Sequence, residues 1–241
     1  MGNLNLDPLF NPQSIAMIGA SATPGKWGNI ILLNILKGNF KGKIYPVNPK
    51  ADKIFGYPCF ASVMDIPETV DMALITTPAH SILPLIDQCG EKKIPFLVVV
   101  TSNFSEAGEA GSKLEKGLVT KAASYGIRIV GPNTMGVYSA QSQLHALMPM
   151  LMPLKGSVSM FSQSGNVGVQ MMDYGQKEGV GFEKFVSSGN EGDLNCVDYL
   201  KYFAKDENTK VILGYIEGVE SGTDFLPVVK KISRTKPMVR L

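Results

Sequence analysis

A short apolar strand that runs into a glycine-containing loop is the feature that most limits what this chain can fold into. Residues 14–28 read SIAMIGASATPGKWG, an apolar run followed by small residues and then by a helix-compatible segment. In α/β domains, a strand, a tight turn and a helix N-terminus build a phosphate site, because the first backbone N–H groups of the helix point towards the anion. This segment therefore predicts an α/β domain that binds a ligand with a phosphate group.

The loop departs from both common nucleotide-binding motifs. The dinucleotide fingerprint G-x-G-x-x-G has Ser21 and Pro24 where its second and third glycines belong. A Walker A loop needs glycine at Ala20 and serine or threonine at Trp27. These departures argue against an ordinary NAD or ATP site, while the prediction of a phosphate-bearing ligand stands.

The end of the second predicted strand suits a phosphorylated ribose. Strand 43–47 is followed by Asn48, Pro49 and Lys50, roughly where an NAD enzyme places the carboxylate that binds the ribose hydroxyls. An amide and a cation fit a ribose phosphate instead, and both NADP and coenzyme A carry one. A solvated lysine after a strand is the alternative, and the residues alone leave both open.

Composition limits the class of protein. The chain has 241 residues, of which 44% are hydrophobic, and a formal net charge of +2. This allows one large or two modest domains and gives too little charge to indicate nucleic-acid or membrane-surface binding. There is no apolar run of the roughly 18 residues that a membrane helix needs, and no signal-peptide pattern. The 3 cysteines form no Cys-x-x-Cys pair and the 2 histidines lie far apart, so we expect reduced thiols, a cytoplasmic location and no metal site.

Apolar runs bounded by turn residues predict the strands of a parallel sheet. They lie at 14–19, 43–47, 71–76, 94–100 and 127–130 and alternate with helix-compatible segments. A small, polar or proline-containing segment follows each of them: Gly19–Ser21, Asn48–Lys50, Thr76–Pro78, Thr101–Asn103 and Gly131–Asn133. Because ligands of open parallel sheets bind at the carboxyl ends of the strands, these segments together predict a binding crevice along one edge.

The second half of the chain repeats the pattern after an interruption. Residues 138–155 mix polar residues, prolines and methionines, and we interpret this stretch as a connection between domains. Strands are predicted again at 157–161, 183–186, 210–216 and 237–241. Since the sequence stops inside the last of these strands, we expect the chain to be a fragment of something larger.

A second anion loop is predicted at Ser162–Gly168, after the strand at 157–161 and before a helix from Val167 to Glu178. Glycines and hydroxyl residues at a helix start leave several N–H groups pointing outwards. Simple helix capping by Ser162 or Ser164 is the structural alternative.

A serine hydrolase is excluded at this loop. The nucleophile elbow G-x-S-x-G would need glycines at Ser162 and Asn166, on either side of Ser164. That fold also needs a histidine later in the chain, and none follows His145.

An acidic residue, Glu217, ends the next predicted strand within Tyr215–Gly218. An acid beside an anion loop is electrostatically sensible if it orients an N–H-bearing or cationic group between the two, such as a histidine imidazole. A solvated strand-end glutamate is the alternative.

With these motifs in order, the chain resembles the NDP-forming acyl-CoA synthetases, the superfamily of the succinyl-CoA synthetase α subunit. The resemblance is closest to the α half of ADP-forming acetyl-CoA synthetases and covers essentially the whole chain. It is carried by Leu9–Ser21 (LFNPQSIAMIGAS), Gly131–Gly136 (GPNTMG), Ser162–Gly165 (SQSG), Gly189 and Asn190 with Asp193, and Tyr215–Gly218 (YIEG).

The resemblance implies the fold and its division. It predicts an α/β fold with a Rossmann-like CoA-binding domain over residues 1–140 and a connector over 141–155. Residues 156–241 would be the first part of a flavodoxin-like, succinyl-CoA synthetase-like domain that is truncated at its C-terminus.

The resemblance also implies roles for individual residues. Matching positions for coenzyme A are Gly19, Ser21, Ala22, Thr23, Pro24, Gly25, Lys50, Thr101, Ser102, Asn103 and Asn133. The family usually has glycine where Asn103 stands, and asparagine tolerates the positive φ that such a turn needs. Ser164, Gly165 and Asn166 match the phosphate-binding helix start, and Glu217 matches the acid that holds a phosphohistidine.

The family reaction converts acyl-CoA, ADP and phosphate into an acid, CoA and ATP through an acyl phosphate and a phosphohistidine. The family histidine follows a Lys-Pro-Val-type strand, and this sequence stops in that strand at Leu241. We therefore expect the histidine beyond this chain, and residues 1–241 alone to bind CoA without completing the reaction.

The remaining parts of the reaction imply partners. Mg and ADP or ATP would be bound by a nucleotide-grasp (ATP-grasp) β subunit or C-terminal domain, and we expect an oligomer. Two alternatives stay open: a non-catalytic CoA-binding or regulatory module, for example one fused to an acetyltransferase, and an NADP-binding oxidoreductase.

Overall fold

The computed structural model describes residues 4–219 and 221–241. The helices are α1 (Asp7–Phe10), α2 (Trp27–Lys37), α3 (Ile82–Glu91), α4 (Glu109–Ser124), α5 (Gly165–Lys177), α6 (Cys196–Lys205) and α7 (Gly222–Ile232). The first strands are β1 (Ser14–Ile18), β2 (Lys43–Val47), β3 (Lys53–Ile54), β4 (Tyr57–Pro58), β5 (Met72–Ile75), β6 (Phe96–Val99) and β7 (Arg128–Val130). The later strands are β8 (Gly136–Ser139), β9 (Leu144–Leu147), β10 (Lys155–Ser162), β11 (Phe182–Ser187), β12 (Val211–Tyr215) and β13 (Met238–Arg240).

The first sheet has the strand order β2-β1-β5-β6-β7, and all its pairs are parallel. Every residue of β1 is buried, since helices cover both faces of the sheet. The order reverses beside β1, where β2 lies on one side and β5 on the other, so the crevice for a ligand opens between the ends of β1 and β5. The predicted α/β fold with a parallel sheet is confirmed.

The second sheet has the order β13-β12-β10-β11-β8-β9. Its strands β10 to β13 are parallel, with the same kind of switch between β10 and β12, whereas the hairpin β8–β9 pairs antiparallel to β11. The segment predicted as a connector over 141–155 thus contains β9, and the chain passes from one sheet to the other between β7 and β8. The hairpin is positioned by its pairing with β11, which is distant in the sequence. Local hydrophobic periodicity does not reveal such a distant partner, so the sequence did not predict these strands.

Side chains from both sheets share one core, which includes Ile15 of β1 and Ile212 of β12 as well as residues of the covering helices. Phe10 stacks on Tyr202 with ring centroids 5.1 Å apart. Asn34 of α2 donates from Nδ2 to the carbonyl oxygens of Leu147 and Pro149, each at 2.8 Å. Helix α2 therefore packs on its own sheet and is also bonded to the end of β9, which connects the two sheets.

An ion pair adds to this connection. Arg128, the first residue of β7, donates from Nε to the two carboxylate oxygens of Asp193 at 3.1 and 2.9 Å and from Nη2 to Oδ1 at 2.9 Å. The same carboxylate accepts the Ile129 N–H at 2.7 Å. Burial lowers the pKa of Arg128, but Asp193 outweighs it and raises the pKa above the ordinary value. The loop after β11 is thus held to the start of β7.

The two histidines lie in different surroundings. His145 in β9 packs edge-on to Tyr138 at 5.0 Å, and burial lowers its pKa. His80 is exposed in the short turn before α3. Across residues 4–219 and 221–241, no cluster of three potential His, Cys, Asp or Glu ligands occurs, and no helix has the length and apolarity to cross a bilayer. The cysteines Cys59, Cys89 and Cys196 are free.

Candidate functional site

A cavity of about 980 Å³ lies where the carboxyl edges of the two sheets face each other. From the first sheet it is lined by the segments after β5, β6 and β7, and from the second sheet by those after β10, β11 and β12. The carboxyl edges of both sheets therefore open into the same space. Ligands of an open α/β sheet bind outside the carboxyl ends of its strands, so ligands of the two sheets would share this cavity.

The loop after β1 is shaped by two glycines. Gly19 adopts φ +89, and its N–H donates to the Val47 carbonyl oxygen at 3.0 Å. Gly28, in the first turn of α2, lies so close to β1 that a Cβ there would be 1.9 Å from the Gly19 carbonyl oxygen. Sequence reasoning missed Gly28, although a glycine in the first turn after such a loop is its usual signal.

The rest of this loop presents an open backbone. Ser21 is buried, and its Oγ accepts the Thr23 N–H at 3.1 Å. Ala22, Thr23, Pro24 and Gly25 are exposed, and Gly25 adopts φ +82. The loop itself lies outside the lining of the large cavity, but Thr76 Oγ1 is 3.3 Å from the Gly19 carbonyl oxygen, so the loop starts beside the cavity wall.

Lys50 is exposed near the same loop. Asn48 connects them, because its Nδ2 donates to the Ala20 carbonyl oxygen at 2.8 Å and its Oδ1 accepts the Lys50 N–H at 2.9 Å. Asn48 therefore joins the ends of β1 and β2, and the exposed Lys50 lies two residues further along the chain.

The loop after β6 forms the floor of the cavity. Thr101 and Ser102 line it, and Thr101 Oγ1 donates to the Thr77 carbonyl oxygen at 2.6 Å. Asn133 also lines it and donates its N–H to the Thr101 carbonyl oxygen at 3.0 Å. Asn103 adopts φ +74, which confirms that asparagine supports the positive-φ turn, but it does not line the cavity.

The opposite wall is the N-terminus of α5. Ser164, Gly165 and Asn166 line the cavity, and Ser164 Oγ accepts the Val167 N–H at 3.4 Å. Ser164 therefore caps the helix, and the first residues of the same helix also line the cavity, so the two interpretations of this loop are compatible. A Cβ at Gly165 would lie 2.4 Å from the Met135 Cγ, so glycine allows the helix start to approach the residue before β8.

Glu217 lies on the same wall and is exposed. Its loop is held by Gln163, the residue directly after β10. Gln163 Oε1 accepts the N–H groups of Glu217 at 2.6 Å and Gly218 at 3.0 Å. Its Nε2 donates to the Gly218 carbonyl oxygen at 2.8 Å and to Glu191 Oε2 at 3.0 Å. Gln163 belongs to the SQSG motif found in the sequence, but the motif alone did not indicate a role for this residue.

Asn190 joins the two walls. Its Nδ2 lies 2.6 Å from Glu106 Oε2, 2.8 Å from Glu115 Oε2 and 3.0 Å from Ser105 Oγ, and its Oδ1 lies 3.3 Å from Asn133 Nδ2. Burial raises the pKa of Glu106, but the hydrogen bond from Asn190 and those from backbone N–H groups outweigh it and lower the pKa. Asn190 thereby fixes the loop after β6 against the loop after β11.

Similarity to known proteins agrees with this architecture. Residues 13–140 match the CoA binding domain family, and residues 155–241 match the family described as succinyl-CoA ligase like flavodoxin domain. The chain is 43% identical over 234 residues to acetate–CoA ligase (ADP-forming) I of Archaeoglobus fulgidus, covering 97% of this chain and 34% of that protein. It is 41% identical over 240 residues to the α subunit of acetate–CoA ligase (ADP-forming) I of Pyrococcus furiosus, covering 98% of this chain and 52% of that protein.

A solved structure gives the same result. The dinucleotide forming acetyl-coenzyme A synthetase 1 of Ca. Korarchaeum cryptofilum, in complex with phosphate and ADP, superposes with a TM-score of 0.94 at 43% identity, covering 98% of this chain and 51% of that chain. The chain thus spans about half the length, or less, of these relatives. On its two matched domains, its paired sheets and its near-complete alignment with these ligases, the chain belongs to the NDP-forming acyl-CoA synthetase superfamily, with a CoA-binding domain followed by a succinyl-CoA ligase like flavodoxin domain.

Proposed function

We propose that this chain is the CoA-binding part of an ADP-forming acyl-CoA synthetase, which converts acyl-CoA, ADP and phosphate into a carboxylic acid, CoA and ATP. The main support is the shared cavity of about 980 Å³. Thr101, Ser102 and Asn133 line it from the CoA-binding domain, and the helix start at Ser164–Asn166 lines it from the other domain together with Glu217. A thioester and an inorganic phosphate can meet there.

The residues present fit coenzyme A. Thr77 lines the cavity, and its buried Oγ1 has no hydrogen-bond partner among the described residues. Because buried polar groups are normally hydrogen-bonded, Thr77 is a ready partner for an amide of the pantetheine arm. The exposed loop Ala22–Gly25 suits the diphosphate, and Lys50 suits the ribose phosphate. Coenzyme A would supply the thiol that carries the acyl group.

The N-terminus of α5, on the opposite wall of the cavity, would bind inorganic phosphate. We assign its binding to the backbone N–H groups of Gly165 and Asn166 and to the Ser164 hydroxyl. A helix N-terminus favours an anion by about 0.3–1 kcal/mol when exposed and up to about 2 kcal/mol when partly buried. Pre-positioned N–H donors are what a loose phosphoryl-transfer transition state needs.

Glu217 would orient the histidine that accepts the phosphoryl group. A carboxylate that accepts one imidazole N–H fixes the ring and its tautomer. The 2 histidines of the sequence, His80 and His145, do not line the cavity. The histidine is therefore assigned to a part of the protein outside these 241 residues.

The relatives' greater length leaves room for the remaining components, which we assign to a part of the protein outside this chain. A nucleotide-grasp β subunit or C-terminal domain would bind Mg and ADP, and the complete protein would be an oligomer. The free thiols of Cys59, Cys89 and Cys196 support a reducing, cytoplasmic location.

Lys50→Glu is expected to weaken CoA binding about tenfold or more and to leave dephospho-CoA binding within about twofold. The reason is that Lys50 would contact the ribose phosphate, which dephospho-CoA lacks. Isothermal titration of the wild-type and variant chains with both ligands measures the difference.

Lys53→Glu is the matched control, because it makes the same charge change at a nearby exposed lysine in β3. It should leave the ratio of the two affinities unchanged. Equal losses for CoA and dephospho-CoA in Lys50→Glu would remove Lys50 from the ribose phosphate. A wild-type chain that binds NADP more tightly than CoA would overturn the proposed function itself.

A further inference from the structure

The side chain of Gln163 sits at the meeting point of three segments of the second domain. It follows β10 directly, and its amide reaches the loop after β12 at Glu217 and Gly218 and the loop after β11 at Glu191. On one side it lines the large cavity, and on the other it lines a second cavity of about 450 Å³. It therefore forms part of the partition between the two cavities.

All hydrogen-bonding groups of this amide that face the protein are used. Its oxygen accepts two backbone N–H groups at 2.6 and 3.0 Å, and its nitrogen donates to the Gly218 carbonyl oxygen at 2.8 Å and to Glu191 Oε2 at 3.0 Å. An amide is the one side-chain group of this length that offers two donors and an acceptor together. Neither glutamate nor methionine reproduces this set at neutral pH.

Glu191 fixes which way the amide points. Its carboxylate can only accept, so it selects the orientation in which Nε2 faces Glu191 and Oε1 faces the backbone of Glu217. Burial raises the pKa of Glu191, while the hydrogen bond from Gln163 opposes this shift. Glu191 itself adopts φ +52, a left-handed conformation held by the Ser188 carbonyl oxygen, which accepts its N–H at 3.3 Å.

We infer that Gln163 is the positioning residue for Glu217: its amide, oriented by Glu191, holds the loop after β12 in the conformation that places Glu217 on the cavity wall. Because Glu217 is exposed, its side chain has little else to define its place, and the hydrogen bonds to its own N–H and to that of Gly218 set where its backbone lies. The importance of this position for phosphoryl transfer rests on the proposed function. The hydrogen-bonded arrangement does not.

The test is Gln163→Glu, with a pH profile. Glutamate keeps the acceptor for the Glu217 and Gly218 N–H groups but sets a second carboxylate oxygen against Glu191 Oε2 and the Gly218 carbonyl oxygen. Ionising both carboxylates at this distance is unfavourable. The apparent pKa of the pair should therefore rise by about 1–3 units. Once one proton is bound, its O–H restores a donor and mimics the amide.

Amide hydrogen exchange at Glu217 and Gly218 measures directly whether their N–H groups stay hydrogen-bonded to residue 163. At pH 7.5 we expect Gln163→Glu to lower the protection factors of these two amides about tenfold, and at pH 5.5 we expect recovery to nearly the wild-type value. Gln163→Met, which has no donor at any pH, should lose protection without recovery. Gln170→Glu, the same charge change at an exposed residue of α5, should leave both amides unchanged.

Other titrating groups must be considered in that pH range. Burial raises the pKa of Cys196 to about 12, so this thiol stays neutral throughout. The acidic side chains around Gln163 in the two cavities are Glu106, Glu115, Glu191, Glu217 and Asp224. They are common to the wild type and all variants, so the difference between Gln163→Glu and Gln163→Met isolates the new carboxylate.

A Gln163→Glu protein with wild-type protection at pH 7.5, or a loss that low pH does not reverse, would overturn the inference. If a variant did not fold, the wild-type chain can still be tested. A scalar coupling across the hydrogen bond from the Glu217 ¹⁵N to the Gln163 side-chain carbonyl carbon is expected, and its absence would contradict the arrangement.

Titration of the wild type with CoA tests the proposed function separately. Failure to bind CoA would refute the proposed function and leave the role of Gln163 in the loop standing.

Discussion

Gly28→Ala is expected to lower the free energy of unfolding by about 1–3 kcal/mol and to weaken CoA binding. A Cβ at residue 28 would lie 1.9 Å from the Gly19 carbonyl oxygen and 3.2 Å from Thr76 Oγ1. Because the nearest atom belongs to the backbone, no side chain can rotate away, and the start of α2 must move off β1. The loop between them moves with it. Urea unfolding measures the first effect, and isothermal titration with CoA measures the second.

Gly117→Ala is the matched control within α4. There a Cβ would meet nothing closer than Leu83 Cδ2 at 4.0 Å. Alanine in a helix interior is favoured over glycine by about 0.5–1 kcal/mol, so this variant should be slightly more stable than the wild type. The two substitutions should therefore change stability in opposite directions. A Gly28→Ala chain as stable as the wild type would contradict the close packing of α2 on β1.

Asp193→Ala is expected to lower the free energy of unfolding by about 2–3 kcal/mol, somewhat less than the ~3–5 kcal/mol typical of breaking a fully buried ion pair. The pair is partly exposed, with 31% of the Arg128 and 20% of the Asp193 side chain accessible, which reduces the effect. The variant removes the hydrogen-bond acceptor of the Arg128 guanidinium and of the Ile129 N–H, and leaves Arg128 only the more distant carboxylate of Asp198 at 3.9 Å. For a chain of this length the midpoint of thermal unfolding should fall by about 5–10 °C.

Asp173→Ala provides the comparison. Asp173 pairs with Lys177 on the surface of α5, where the two side chains are 49% and 69% accessible. Such exposed pairs contribute about 0.3–0.5 kcal/mol, and alanine offsets that loss through its helix propensity. Thermal unfolding should hardly change. If Asp193→Ala also left thermal unfolding unchanged, the ion pair between Arg128 and Asp193 would not contribute to the stability of the contact between the two sheets.

The parallel strands of both sheets were predictable because each is an apolar run that ends in a turn signal. For example, the predicted strand at 43–47 is observed as Lys43–Val47. The convergence of strand ends followed from parallel topology, which explains why Thr101 and Asn133 lie at one edge of the first sheet and Ser164 and Glu217 at one edge of the second. These expectations needed only periodicity and one rule of topology.

The hairpin β8–β9 was not predictable in the same way. Its residues mix polar and apolar types, and its antiparallel pairing to β11 joins segments that are far apart in the sequence. The roles of Gln163 and Asn190 were hidden for the same reason. Their partners come from separate loops, at Glu217 for the first and at Glu106 for the second, and only the folded chain brings these together.

Gly28 illustrates a further limit. Its importance depends on the short distance between α2 and the Gly19 carbonyl oxygen at the end of β1, and Gly28 lies beyond the glycine positions of the dinucleotide fingerprint. The departure of the loop from the dinucleotide fingerprint at Ser21 and Pro24 drew attention to the loop itself. The glycine that the packing requires lies in the following helix.

The most direct test of the account is a crystal structure of this chain with coenzyme A and inorganic phosphate. We predict the CoA diphosphate against the exposed loop Ala22–Gly25, the pantetheine arm in the cavity beside Thr77, and phosphate at the start of α5 near Gly165 and Asn166. Coenzyme A bound away from the β1 loop, or phosphate bound outside the shared cavity, would contradict the claim that the two sheets bring both ligands into one site.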